Sequence, residues 1–298
     1  MKIIITGASG FVGQNLSQYL NKRHYNIQAV SLRSDWAFDT NADAVIHLAG
    51  KAHDTQNTTS EEDYYKINTD LTNKIFDEFL NSNIRDFIYF SSVKAVADCV
   101  DDVLNEDCFA EPKTPYGKSK LLAEKYLLSK AVPETKRLFI IRPCMIHGPG
   151  NKGNLNLLYK IVKMRIPWPL GAFDNKRSFL SIDNLNFLVL QLLENKNIAS
   201  GIYNFADDGF LSTNELIKII DEALGKETKQ LNVSPDIINI FSKVGDKIKL
   251  PINSERLKKL TENYMVSNHK VKSALNIRQL PVSAKEGLIK TIKSFQHK

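Results

Sequence analysis

Tyr116 and Lys120 stand four residues apart in the run Tyr116-Gly117-Lys118-Ser119-Lys120. On a helix this spacing puts the phenol and the ammonium on one face. A free tyrosine titrates near ~10 and is a poor base at neutral pH. A neighbouring cation favours phenolate and draws that value toward the working range of a proton-transfer group. Taken alone, the pattern fits an ordinary surface pair better than a general acid/base. Its position among the other elements gives it weight.

The second chemical feature is Gly7-Ala8-Ser9-Gly10-Phe11-Val12-Gly13. It follows the apolar run Lys2 to Thr6 and opens a helical pattern from Phe11 to Lys22. Gly7 permits a tight turn, Gly10 lets backbone approach a pyrophosphate, and Gly13 allows close packing of helix on strand. The helix start offers free N–H groups and a positive dipole end to phosphates. These residues predict a dinucleotide site.

The elements that must carry these groups alternate. Strands are predicted at Ile27 to Leu32, Ala44 to Leu48, Phe87 to Phe90 and Leu138 to Ile141, and helices at Tyr64 to Leu80 and Tyr116 to Ser129. Short buried strands between helices predict an α/β fold, a Rossmann doubly wound parallel sheet of order 3-2-1-4-5-6. Only Arg33 to Asp43 separate the second strand from the Ala44 strand, less than the roughly dozen residues a parallel crossover needs. The third strand-helix unit is therefore expected to shrink to a stub around Trp36-Ala37-Phe38.

After Pro143 the chain becomes rich in proline and glycine. Helical patterns follow at Leu155 to Lys163, Asn184 to Glu194, Ser212 to Leu224 and Ala284 to Ser294, with a strand at Gly201 to Phe205. This gives a dinucleotide-binding domain over residues 1–142. A smaller C-terminal α/β substrate domain is expected, made mainly of residues 143–298, with the chain free to cross back to the sheet.

Composition narrows the classes. The 298 residues are 43% hydrophobic and 24% charged, ordinary globular values. No apolar run approaches the ~18 residues of a membrane span, so no membrane insertion is expected. Met1 to Ile5 is too short for a signal core, and the chain is read as cytosolic. The formal net charge is +7, but the lysines and arginines are scattered, so no nucleic-acid partner is expected. Cys99, Cys108 and Cys144 suggest neither a disulfide framework nor a metal site.

The Gly7 to Gly13 spacing and the Tyr116/Lys120 pair together resemble the extended short-chain dehydrogenase/reductases, the NAD-dependent epimerase/dehydratase family. His47-Leu48-Ala49-Gly50 resembles its strand-end motif along the cofactor, and Asn68 its helix asparagine. The resemblance implies cofactor contacts from Gly7, Ser9, Gly10, Phe11, Val12, Gly13, Leu48, Ala49, Gly50, Ser91, Tyr116, Lys120 and Pro143, with Lys120 also bonding the nicotinamide ribose. It implies Tyr116, Lys120 and Ser92 as catalytic residues. Ser92 would also hold the substrate oxygen, although a one-residue slip puts Val93 in its place.

The end of the second strand, Ser31-Leu32-Arg33-Ser34, has no acid until Asp35. An acid there would bind a ribose 2′-hydroxyl, whereas arginine suits a 2′-phosphate. The cofactor is NADP or NAD, with Ser31 and Arg33 favouring NADP.

Arg142-Pro143-Cys144-Met145-Ile146-His147-Gly148-Pro149-Gly150 resembles the family segment near nicotinamide and diphosphate, with His147 where tyrosine is usual. His147 is either a packed loop residue or a ligand contact. Asn154 and Arg177 are the implied substrate contacts, Arg177 as a planar fork for a diphosphate. Trp168 is either core or beside the base, and Asp183 is read as a helix cap.

Val93 and Lys94 replace the acids of 4,6-dehydratases, which disfavours that chemistry. Lys94 is a surface lysine or a substrate contact. The resemblance implies a nucleotide-sugar epimerase acting at C4, with a UDP-linked substrate. A 4-keto-sugar reductase is the alternative, and a catalytically inactive dinucleotide sensor or scaffold is the rival of another class. A homodimer through the Tyr64–Leu80 and Tyr116–Ser129 helices is also implied.

Overall fold

The computed structural model describes residues 1–39, 41–52, 60–151, 154–248 and 253–296, with backbone alone at 154, 244, 245, 247 and 248. Its centre is a sheet of six parallel strands. These are β1 (Lys2–Thr6), β2 (Asn26–Val30), β3 (Ala44–His47), β4 (Asp86–Phe90), β5 (Arg137–Pro143) and β8 (Gly201–Phe205), in the order β2-β1-β3-β4-β5-β8. Strand side chains alternate between faces, and the sequence exploits this. Ile3, Ile5, Ile46, Ile88 and Ile141 pack against Leu16 and Leu20 of α1 (Phe11–Asn21) and Leu185, Leu188 and Leu192 of α6 (Ile182–Glu194). Ile4, Val45, Phe87, Tyr89 and Ile140 pack on the opposite side. There they meet Ile75, Phe76 and Phe79 of α3 (Leu71–Asn81) and Ala123 and Leu127 of α4 (Pro115–Ser129). Each large apolar side chain so buried contributes roughly 1.5–3 kcal/mol.

The expected stub after β2 adds no strand among the described residues, so the sheet lacks the outermost strand of the 3-2-1-4-5-6 order and ends at β2. Trp36 and Phe38, with rings 5.2 Å apart, cover the core where a full unit would lie. The Tyr64–Leu80 helix is in three parts: α2 (Glu61–Tyr64), a π turn over Tyr65–Asp70, and α3. Such turns insert one residue into the helical ladder and recur at functional sites.

Beyond β5 the chain forms a hydrophobic cluster separate from the two that flank the main sheet. A two-stranded parallel sheet joins β6 (Met145–His147) to β7 (Phe179–Ser181). Around it lie α5 (Asn154–Lys163), α7 (Thr213–Leu224), α8 (Pro235–Ile248), α9 (Ser254–Thr261) and α11 (Ala284–Ser294), while α10 (His269–Leu275) packs on β8 in the main-sheet core through Val271 and Leu275. Helices α8, α9 and α10 and strands β6 and β7 are new relative to the sequence expectation, although α8 and α9 each carry an apolar face. β8 and α6, from the C-terminal region, return to the main sheet. β8 pairs with β5, and α6 packs beside α1. This return covers what would otherwise be the open edge of β5.

Trp168 is core: it is buried, and its indole N–H donates to Asn214 Oδ1 at 2.8 Å. Asp183 is not the cap of α6. Ser181 caps that helix, accepting from the Asn184 N–H, while Asp183 in the first turn pairs with Lys290. A short hydroxyl fits the extended cap position, and a first-turn carboxylate suits the helix dipole.

Candidate active site

The glycine turn lies between β1 and α1. Gly7 has φ +72°, and a Cβ there would come 2.6 Å from the Ala49 nitrogen. A Cβ on Gly13 would come 2.3 Å from the Gly7 carbonyl. Only glycine fits either position. Helix α1 starts at Gly10 with no side-chain cap and no acidic residue in its first turn. α7 and α11, by contrast, are closed by Ser–Glu capping boxes. The start of α1 therefore presents backbone N–H donors and a positive dipole end, which fits the diphosphate of a dinucleotide.

Ser9 and Gly10 are exposed at this turn, and Phe11 and Val12 are half-buried. Leu48, Ala49 and Gly50 continue from β3 beside it, with the Leu48 N–H donating to Thr6 at 3.1 Å. Beneath, His47 is fully buried between the hydroxyls of Thr6 (2.6 Å) and Thr72 (2.9 Å). Ser31 and Arg33 are exposed at the end of β2, and no carboxylate precedes the exposed Asp35. Pro143 is buried at the end of β5. Gly148 and Gly150 approach the Phe11 ring, so the Arg142–Gly150 segment borders the glycine turn.

Helix α4 begins with Thr114 as N-cap and Pro115 in its first turn, which fixes where Tyr116 projects. The Tyr116 phenol lies beside the Ser92 side chain, which favours the phenolate. Ser92 thus neighbours the phenol, whereas Val93 is buried among apolar residues. Burial raises the Tyr116 phenol above its ordinary value, the Ser92 side chain lowers it, and the neighbouring Tyr64 raises it. Lys120, one turn on, is buried and donates 2.8 Å to the Phe90 carbonyl. Burial pushes the Lys120 ammonium down to about 8, and the Glu124 carboxylate works against that shift.

Gly50 lies over this lysine: a Cβ there would come 3.3 Å from Lys120 Nζ. The strand-end motif and the tyrosine-lysine helix therefore meet. Asn68, in the π turn, stitches them together. Its amide donates to the Lys51 carbonyl and to Ser119 Oγ, both at 3.1 Å, and its oxygen accepts from the Lys51 N–H at 2.7 Å. Ser91, beside Ser92, donates to Glu124.

On the other side, Arg177 lines a small cleft of about 20 Å³ with Met145, Leu155, Phe179, Lys259 and Leu260. Its guanidinium donates to the Lys259 carbonyl. Burial lowers its pKa, offset by the Glu262 carboxylate. Asn154 opens α5 toward the same region of sequence, but its side chain lies outside the described residues. Lys94 is neither a free surface lysine nor fully buried. Its ammonium donates to the Asp98 carbonyl and lies 4.5 Å from the centre of the Tyr264 ring. His147 is packed away from solvent, with Nδ1 2.9 Å from the Thr291 hydroxyl and Nε2 3.7 Å from Asp207.

Two groups of residues escaped the sequence reading. Tyr264 joins the Arg177 segment to the Ser92 turn, from a stretch with no local signature. Glu124 and Arg142 form a buried pair, which the spacing of Glu124 four residues after Lys120 could have suggested.

Comparison with known proteins agrees with this geometry. The description of the NAD dependent epimerase/dehydratase family matches residues 3–206. The UDP-glucose 4-epimerase of Vibrio cholerae is 30% identical over 98% of this chain and 95% of its own. The GDP-6-deoxy-D-mannose reductase of Pseudomonas aeruginosa is 27% identical over 74% of this chain and 79% of its own. In fold, the UDP-N-acetylglucosamine 4-epimerase from Bacillus cereus is similar, with TM-score 0.77 at 20% identity and 100% of both chains covered. Among the described residues, no helix is long and apolar enough to cross a membrane. The glycine turn, the strand-end motif and the tyrosine-lysine helix all lie within the matched span, and the chain belongs to the NAD dependent epimerase/dehydratase family.

Proposed function

We propose that this chain is a nucleotide-sugar epimerase that acts at C4 of a UDP-linked hexose. The observation that carries the reading is the Tyr116 phenol beside the Ser92 side chain, with the Lys120 ammonium one helical turn away. The glycine turn, Leu48 to Gly50, Ser91 and Pro143 would hold a nicotinamide dinucleotide, with Ser31 and Arg33 beside the adenosine ribose. When bound, that cofactor supplies hydride transfer.

The protein's own part is proton chemistry and positioning. Tyr116 exchanges a proton with the C4 oxygen, and Ser92 hydrogen-bonds that oxygen and fixes its direction. Lys120 holds the nicotinamide ribose, and its charge favours phenolate. Arg177, with Asn154, would grip the substrate diphosphate at the rim of its cleft, leaving the sugar to extend toward Tyr116. Residues 1–142 with β8 and α6 serve the cofactor, and the remaining C-terminal elements serve the substrate.

One observation favours a second reading, an NADP-dependent 4-keto-sugar reductase. Burial raises the Tyr116 phenol, so the tyrosine enters as a proton donor, as ketone reduction requires. The absence of a carboxylate before Asp35 agrees with NADP.

The test is incubation of the purified protein with UDP-galactose or UDP-N-acetylgalactosamine and either cofactor, followed by NMR. C4 interconversion with no net cofactor oxidation supports the epimerase. NADPH consumption with a nucleotide 4-keto sugar, and no interconversion, replaces it by the reductase. Cofactor binding without either turnover makes the chain a sensor.

We also infer a homodimer through α3 and α4, supported by Leu122 and Leu128 of α4, 44% and 52% exposed. Light scattering that gives a monomer mass at micromolar concentration rules this out.

A further inference from the structure

Three successive turns of α4 each hold one residue at the end of β4. Tyr116 meets Ser92, Lys120 donates to the Phe90 carbonyl, and Glu124 accepts from the Ser91 hydroxyl. The Glu124 side chain is 1% exposed. Its carboxylate also accepts from Arg142 of β5, with Nη2 at 2.5 Å and Nε at 3.0 Å. One carboxylate thus ties the helix to two neighbouring strands.

Packing alone does not call for charges here, since buried ion pairs are often replaceable by apolar residues of similar volume. What a carboxylate adds is a negative charge one helical turn from the Lys120 ammonium. Burial drives that ammonium toward the neutral amine, and Glu124 opposes it.

The other titratable groups around Lys120 supply no such charge. The Tyr89 ring lies 4.9 Å away, and burial pushes its phenol far up, so it stays neutral. His47 of β3 is also neutral, held at about 3 by burial and by Lys120 itself. Tyr116, on the same helix, is raised by burial. Among the described residues, Glu124 is the anion acting on this lysine.

We propose that Glu124 is a positioning residue that keeps Lys120 in its ammonium form and locks Ser91 and Ser92 in register with Tyr116. The inference rests on the reading of Lys120 as the group that holds the nicotinamide ribose. It assigns Glu124 no contact with substrate or cofactor.

The experiment measures NADPH affinity by fluorescence titration across the pH range around the lysine's own value. In the wild-type chain, affinity falls as pH rises through about 8. Glu124→Gln moves that fall to lower pH, by about one unit for a charge several ångströms away in protein. Ser91→Ala breaks the register contact and keeps the charge, so it leaves the midpoint in place. An unchanged midpoint in Glu124→Gln overturns the proposal.

Glu124→Gln strands the buried Arg142 cation. If far-ultraviolet circular dichroism shows that this variant does not fold, the double variant Glu124→Gln/Arg142→Met removes that cation and is judged by the same midpoint. Lys120→Met separates the two levels of argument. Loss of the pH dependence in that variant supports the underlying reading. A wild-type profile in Lys120→Met overturns the reading of Lys120 itself, and the Glu124 proposal with it.

Discussion

The hydroxyl of Tyr264 shares its proton between the carbonyls of Ala97, at 2.6 Å, and Val93, at 3.1 Å. Its backbone pairs with Arg177. One residue therefore links the turn after Ser92 to the segment that carries the guanidinium of the cleft. Burial pushes the Tyr264 phenol far up, so it stays a donor well into the alkaline range. Tyr264→Phe leaves both carbonyls short of a partner. It should cost about 1–3 kcal/mol, read as a Tm lower by a few degrees. With Lys94 above the same ring, it should also lower kcat/KM. Wild-type kcat/KM in the variant would mean that the link carries no information to the site.

Arg33 is predicted to choose the cofactor. It is exposed beside Ser31, where a 2′-phosphate would meet a guanidinium and a hydroxyl. A bidentate arginine–phosphate contact is among the stronger hydrogen-bonded pairs. Arg33→Ala should weaken NADPH binding by roughly tenfold or more, taking ~1.5–3 kcal/mol for a charged hydrogen bond, and leave NADH binding alone. Titration calorimetry with both cofactors decides. Equal affinities in the wild-type chain would remove Arg33 from the cofactor site.

The first half of the chain was legible because its signals are local. The glycine turn, the apolar runs of β1, β3 and β4 and the Tyr116/Lys120 spacing of α4 each lie within one element, and an interior strand of a parallel sheet is buried on both faces. The stub after β2 was legible from its length alone. The return of β8 and α6 was less so, because pairing partners such as Ile141 and Tyr203 are distant in sequence. Tyr264 was invisible for the same reason: its partners, Val93 and Ala97, lie about 170 residues earlier. His147 was ambiguous because only its neighbours, Thr291 and Asp207, reveal that it is packed. Which of Ser92 and Val93 neighbours Tyr116 is likewise a matter of tertiary contact, not of local spacing.

Tyr116→Phe removes the proposed proton-transfer group and keeps the ring that packs edge-on against Tyr64 at 6.1 Å. General acid–base groups contribute typically ~10²–10⁴-fold, so kcat should fall by that order while cofactor affinity stays constant. Ser92→Ala should fall less, since it loses one hydrogen bond to the reacting oxygen and keeps the proton donor. Steady-state kinetics with cofactor titration checks both. A Tyr116→Phe variant with wild-type kcat would leave the proposed chemistry without its acid.

Arg177→Ala tests the substrate side. The guanidinium lines the cleft together with Lys259, and its fork geometry matches phosphate oxygens. The variant should raise KM for a nucleotide sugar at least tenfold, with a smaller change in kcat, and leave NADPH affinity unchanged. An unchanged KM would place the diphosphate elsewhere.

His47 should make the fold acid-sensitive. Burial, with a smaller push from the Lys120 cation, lowers its imidazole to about 3, whereas the unfolded chain has the ordinary 6.5. Because the folded value is the lower one, the unfolded chain binds the proton first. Stability is therefore intact above about 6.5 and is lost as pH falls toward 3. The slope for one proton is about 1.4 kcal/mol per pH unit. Denaturant unfolding followed by fluorescence at stepwise lower pH should show that loss beginning below the ordinary histidine value. His47→Gln keeps a polar side chain between Thr6 and Thr72 but has no proton to gain. Its stability should therefore fall less steeply over the same window, and equal slopes in the two chains would assign the acid sensitivity to other groups.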